Sequence, residues 1–319
     1  MDNDMTENDK ARRFKVLVCI DGSKESYRGL RYAVRLGSNI KADITLLYIR
    51  QVDKELHTGG LDIRMARENM LEWGLEMPGM TSLKLARDIL IEDGYLDEDW
   101  RTITSHVDIQ GDPLGDNLVE YTSKEGCKVT LKLMVSPSPD LGILDEGEMG
   151  DYDVTILSAS DDNTQSEKNL MFSGSVSQVV ATESAKTVIV AKALEENHGH
   201  LLCLSGSDAS FNAAMRDAVL ASKCNCPIFL FSVASDESKV EAANSIIAKA
   251  RTAIEAAGYP IAGEKVAIGD TVEQIVEEGQ NYSLIVLSGE HQRGFRRFFK
   301  SSLTYHILNS AKNSVMLNR

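Results

Sequence analysis

The chain of 319 residues holds no apolar run near the ~20 residues needed to cross a bilayer. Its most apolar stretch is short, residues 227–234. Positive charge is also scarce. The 34 lysines and arginines stand against 48 aspartates and glutamates, a formal net charge of −14. Such a chain is poorly suited to the phosphates of nucleic acid or to anionic lipid. Neither nucleic-acid binding nor membrane insertion is expected. Cysteine is sparse and odd in number, five in all, without the spacing of a disulfide framework. Cys19 and Cys203 lie in apolar runs and read as small buried hydrophobes. Cys224-Asn225-Cys226 has no second pair and no histidine close by in the chain, so it is not read as a metal site. His198-Gly199-His200 reads as a polar linker, and no metal is expected. Residues 1–13 lack the hydrophobic segment of a signal peptide. They are expected to be a disordered leader, and the chain to be cytoplasmic.

Catalytic signatures are missing as well. There is no His-Glu-x-x-His metal helix, no Gly-x-Ser-x-Gly nucleophile turn and no Gly-x-x-x-x-Gly-Lys-Ser/Thr loop. No catalytic residue is expected.

The remaining composition, 43% hydrophobic and 26% charged, is that of an ordinary soluble protein. At ~150 residues per domain the length suits two domains, each able to bury a core. An internal repeat supports that division. The segment from Phe14, FKVLVCIDGSKES, resembles the segment from His200, HLLCLSGSDAS. Gly22 then matches Gly206, Ile44 matches Ile228, and Gly94-Tyr95 matches Gly258-Tyr259. Gly111-Asp112 is paired with Gly269-Asp270, Val154 with Leu284, and Thr187 with Ser314. The spacing never grows along the chain, so the matches keep their order and the first copy carries the insertions.

Each copy alternates β-rich runs with helical patterns. Strands are expected near 15–20, 44–49, 106–109, 154–157 and 187–190, and near 201–204, 228–233, 265–268, 284–287 and 314–317. Helices are expected near 26–36, 62–93, 113–125 and 174–184, and near 210–222, 239–258, 272–278 and 302–311. Near-continuous apolar strands between helices imply a parallel sheet covered on both faces. Right-handed crossovers make it doubly wound. The expected organisation is α/β: a first domain over 14–196, with insertions near 51–79 and 128–151, and a second over 199–319. The later insertion is expected to be a solvent-exposed flap, although Val129-TLKLMV alternates as a strand would.

These residues resemble the universal stress protein family. The resemblance rests on Val16-LVCIDGS and its helix, on Gly269-Asp270 before a short helix, and on Leu284-IVLS followed by Gly294-Phe-Arg-Arg. It covers both copies from about Phe14 to Arg319. It implies two doubly wound domains of the adenine nucleotide alpha hydrolase-like type and a non-enzymatic stress-response role as sensor or adaptor. The family's nucleotide-binding branch uses an Asp ending the first strand, the end of the second strand beside adenine, and a Gly-x-x-Gly loop closed by Gly-Ser or Gly-Thr. Glycines there let backbone N–H groups reach phosphate, and the next helix N-terminus favours negative charge.

Carried over residue by residue, the pattern is partial. Asp21, Gly22, Ile49, Gly174 and Ser175 match in the first copy, but Asp161 and Thr164 replace the loop glycines, with Asp162 alongside. Carboxylates there repel phosphate. Asp21 is read equally as a ligand contact or a cap on the next helix. In the second copy Ser205 replaces the Asp, and Ser288, His291 and Ser301 replace the glycines, while Ser302 is retained. Arg293, Arg296, Arg297 and Lys300 cluster there, which with His291 and Ser302 is either an anion site or a solvated face. No cofactor is required. ATP or another adenine nucleotide is the ligand of the alternative, regulatory reading. The resemblance also implies antiparallel pairing of Thr187-VIVAK with Ser314-VMLNR into an internal pseudo-dimer, covering exposed strand edges. A homodimer and unknown protein partners remain open.

Overall fold

The computed structural model describes residues 12–38, 40–51, 79–109, 112–159, 176–192, 199–289 and 302–319. Most of the expected leader, most of the expected insertion near 51–79 and most of the linker between the copies lie outside the described residues. No described helix is long and apolar enough to cross a membrane.

Five apolar runs of the first half form the strands β1 (Lys15–Cys19), β2 (Asp43–Gln51), β5 (Lys128–Ser136), β6 (Val154–Ser158) and β7 (Thr187–Ala191). Five of the second half form β8 (His200–Cys203), β9 (Ile228–Ala234), β10 (Ile261–Ile268), β11 (Leu284–Ser288) and β12 (Ser314–Asn318). Within each half these strands run parallel, and the order across the sheet is the same: third, second, first, fourth, fifth. The helices between them are α1 (Lys24–Ser38), α2 (Met80–Glu92), α3 (Pro139–Met149), α4 (Val176–Glu183), α5 (Asp208–Lys223), α6 (Val240–Ala256), α7 (Thr271–Gly279) and α8 (Leu303–Ser310). Serine hydroxyls cap several of them. Ser23 Oγ accepts from Ser26 N at 3.1 Å before α1, and Ser207 Oγ accepts from Ser210 N at 3.2 Å before α5. The result is an α/β architecture around one mostly parallel, twelve-stranded sheet.

Several sequence expectations need correction. Residues 113–125, expected as a helix, lie largely in β4 (Asp112–Thr122). With β3 (Arg101–Ile109) it forms an antiparallel hairpin. The strand expected at 106–109 thus belongs to a sheet edge rather than to the parallel core, and β3 is exposed along almost its whole length. Tertiary pairing overrides the local pattern: Val119 faces Leu131 and Tyr121 faces Val129 across the sheet. Residues 128–151 are not a flap. β5 lies inside the sheet, parallel to β2 on one side and covered by β4 on the other, and α3 follows it. Consequently β5 is the counterpart of β10, the pairing of Gly111-Asp112 with Gly269-Asp270 fails, and the insertion is the β3–β4 hairpin. Finally, His200 is not in a polar linker. It opens β8 and is fully buried.

The halves meet where β7 and β12 pair antiparallel, with Val188 opposite Leu317, Ile189 opposite Met316 and Val190 opposite Val315. Alternate residues of both strands enter the cores on both faces of the sheet. Two cations close the seam reciprocally. Lys192, just past β7, donates to the carbonyls of Leu308 (2.7 Å) and Ala311 (2.5 Å) at the end of α8. Arg319, just past β12, donates to Ala181 (2.6 Å), Thr182 (3.2 Å) and Ser184 at the end of α4. Each thus satisfies orphan carbonyls at the negative end of the other half's helix. Replacing Lys192 or Arg319 by Ala should cost roughly 1.5–3 kcal/mol each, the range for hydrogen bonds to a charged group. The carbonyls the two cations reach are different, so the double variant should lose the sum, as measured by denaturant unfolding.

Candidate functional site

β1, β2 and β6 end on the same edge of the sheet. Between β1 and β6 the strand order reverses, which is where open α/β sheets form ligand crevices. A cleft of about 320 Å³ lies there. Cys19, Ile20 and Asp21 line it from the end of β1, Leu47, Tyr48 and Ile49 from β2, and Leu157 and Ser158 from β6. Pro139 and Ile143 of α3 and Val176 and Ser177 of α4 complete the described wall. Among the described residues of that lining, Asp21 is the only charged side chain. The cleft is an apolar slot with one carboxylate at its rim.

Local hydrogen bonds hold that carboxylate in place. Asp21 Oδ1 accepts from Ser23 N at 2.9 Å and Ser23 Oγ at 2.6 Å, and Oδ2 accepts from Ser158 Oγ. Burial by itself would raise the Asp21 pKa. The hydroxyls of Ser158 and Ser23, with the Ser23 N–H, outweigh it and hold the group below the ordinary carboxylate value. Asp21 itself remains exposed, so it stays ionised and can still accept from a ligand. Cys19 behaves oppositely: burial first, then the charges of Asp21 and Glu146, push its thiol far up. It is not a ready nucleophile. Gly22, at φ +86°, makes the turn from β1 into α1, and Gly206 repeats it at +83° after β8. That conformation disfavours any side chain. Gly22 is thus explained by the turn, whether or not a ligand approaches it.

Of the residues expected from the sequence, Asp21 and Ile49 come together in this cleft. Gly174 and Ser175, and the loop positions Asp161, Asp162 and Thr164, lie outside the described residues. In the second half, Ser302 caps α8, its Oγ accepting from Tyr305 N at 3.2 Å. His291, Arg293, Arg296, Arg297 and Lys300 lie outside the described residues. The Ser205 hydroxyl, where the first half has Asp21, sits 3.0 Å from the Ser207 hydroxyl. Sequence reasoning missed Ser158 and the helix wall from α3. Ser158 ends the matched strand Val154-TILS, just as Ser288 ends Leu284-IVLS. That shared serine was the available signal. The α3 wall was hidden by reading 128–151 as a flap.

Comparison with known proteins agrees with the fold. The universal stress protein family profile matches residues 13–77, which include β1, α1 and β2. The fold is similar to the crystal structure of a universal stress protein from Archaeoglobus fulgidus DSM 4304, at 15% identity and TM-score 0.60, over 96% of each chain. It is also similar to a functionally unknown protein from Pseudomonas aeruginosa PAO1, at 12% identity and TM-score 0.57, over 95% of this chain and 92% of that one. No curated protein matches the chain.

Two measurements check the cleft. A Cβ on Gly142 of α3 would lie 2.8 Å from Ile49 Cδ1 and 2.8 Å from Ser136 Cβ. Gly142→Val should therefore displace Ile49, narrow the cleft and cost roughly 1–3 kcal/mol by overpacking. The pH test concerns Asp21. Its folded pKa is lowered, so its contribution to stability is complete above the ordinary carboxylate value and lost as pH falls through the folded pKa. The stability gap between the native protein and Asp21→Ala should be open at pH 7 and close below about pH 4.

Proposed function

We propose that the chain is a non-enzymatic stress-response protein of the cytoplasm, acting as a sensor or adaptor. In this reading it is a tandem of two universal-stress-protein-type domains, over 14–196 and 199–319. The observation that carries the proposal is the chemistry of the first-half cleft: an apolar slot with one tethered carboxylate. A general base works best with a pKa near the operating pH, and that of Asp21 is held down. Cys19 is kept as a thiol. The cleft is therefore suited to holding a small molecule rather than transforming it.

The second reading, an adenine-nucleotide-binding regulator, is favoured by one feature of the same cleft. Asp21 stands ionised at the rim of a wall formed by Leu47, Tyr48 and Ile49, so a ribose hydroxyl could donate to it while a base packs beside that wall. In the sequence, the positions that match the family's loop glycines hold Asp161 and Thr164, with Asp162 alongside, and carboxylates are not phosphate donors. A nucleoside or monophosphate suits this site better than ATP.

The test is mass spectrometry of small molecules released from protein purified without added nucleotide, followed by calorimetry with adenosine, AMP and ATP, with and without Mg²⁺. Adenosine or AMP should bind more tightly than ATP. Asp21→Ala should weaken that binding roughly 10-fold or more, the value of a hydrogen bond to a charged group. No phosphate should be released. Magnesium-dependent ATP turnover that disappears in Asp21→Ala would contradict the non-enzymatic reading. Absence of all three ligands would contradict the nucleotide reading and leave the adaptor role.

A further inference from the structure

The second half buries a polar cluster where the first half is apolar. His200 of β8 and Asp217 of α5 are both fully buried, and Cys226 nearly so. Asp217 accepts from His200 Nδ1 at 3.0 and 3.1 Å. Nδ1 is thereby committed as the donor, and Nε2 faces the other way. Cys224 and Cys226 follow α5 in a tight turn with their sulfurs 3.0 Å apart. One ligand atom each from His200, Cys224 and Cys226 lies within 4.8 Å of the others. The Tyr32 hydroxyl of α1, from the first half, stands 3.4 Å from His200 Nε2 and also meets Cys224.

The repeat provides an internal comparison. The turn after α1 has the same form as the turn after α5. Lys41 and Asn225 both sit at positive φ, 49° and 54°. Ala42 N donates to Gly37 O, as Cys226 N donates to Ala221 O. The strand register agrees as well, Val16 facing Ile44 as His200 faces Ile228. At these equivalent places His200, Asp217, Cys224 and Cys226 correspond to Val16, Ala33, Ile40 and Ala42. Three of those four are fully buried, and Ile40 packs against the same core. The fold therefore forms this corner without any polar group. Burying His200 and Asp217 is costly unless they satisfy one another or a ligand.

We propose that His200, Cys224 and Cys226 form a zinc site. Two thiolates and an imidazole are a borderline-soft donor set that suits Zn²⁺, and three protein ligands leave a fourth position for a water or the Tyr32 oxygen. Typical Zn–S and Zn–N lengths put tetrahedral ligand atoms roughly 3.5–3.8 Å apart, so the sulfurs need only spread by less than about 1 Å. Asp217 is the carboxylate behind the histidine that commonly orients a zinc-bound imidazole through its other nitrogen. Because Tyr32 comes from α1 and the ligands from the second half, the ion would stiffen the contact between the halves.

The test uses the full chain under reducing, metal-free conditions. Co²⁺, added as a spectroscopic substitute, should bind one per chain with a thiolate-to-cobalt charge-transfer band and tetrahedral d–d bands, and Zn²⁺ should displace it. Cys226→Ser should abolish the charge-transfer band contributed by that sulfur, and Asp217→Asn should weaken binding about 10–100-fold. Should a variant fail to fold, the native chain still decides. Zn²⁺ should slow alkylation of Cys224 and Cys226, mapped by peptide mass, and leave Cys203 unchanged. A cobalt spectrum without sulfur ligation, affinity unchanged in Cys226→Ser, or unprotected thiols at saturating Zn²⁺ would overturn the proposal.

Discussion

The antiparallel contact between β7 and β12 is the constraint on which the rest of the structure depends. Each half ends in a short, fully buried strand whose outer edge would otherwise expose unpaired backbone groups. Joining the two edges removes that liability and fuses two five-stranded parallel arrangements into one sheet. It also makes both hydrophobic cores continuous from one half to the other. Lys192 and Arg319 complete the seam from opposite ends, each reaching carbonyls that only the other half supplies.

That seam leaves the C-terminal edge of the first half free to form its cleft, and the halves have diverged on either side of it. The first half keeps Asp21 at the strand end, where the second half has Ser205. The second half in turn places His200, Asp217, Cys224 and Cys226 where the first is apolar. The first half adds a hairpin beyond its third parallel strand, so β10 is the outer strand at one end of the sheet and β3 at the other. One backbone plan thus carries two different chemistries.

Much of the core was legible because buried parallel strands read as continuous apolar runs, as in Lys15–Cys19 and Leu284–Ser288. The Asp21 and Ile49 pairing in one cleft was legible only through the family resemblance, which places both near the ends of such strands. The hairpin was not. Leu118, Val119 and Tyr121 are spaced as a helix face would be, and only pairing with β5 makes them a strand. The buried cluster was equally hidden. His200 and Cys224 are distant in sequence and meet because β8 runs beside the turn that leaves α5, a proximity that local spacing does not encode. Gly199-His200 looked like linker because the strand starts at the histidine itself.

Hydrogen exchange measured on the peptides spanning β7 and β12 tests the central claim most directly. If the seam joins the halves into one sheet, amides of residues 188–190 and 315–317 should exchange as slowly as those of β1, through global unfolding alone. Exchange at the rate of the exposed edge strand β3 would show that the two halves open independently and would contradict the account.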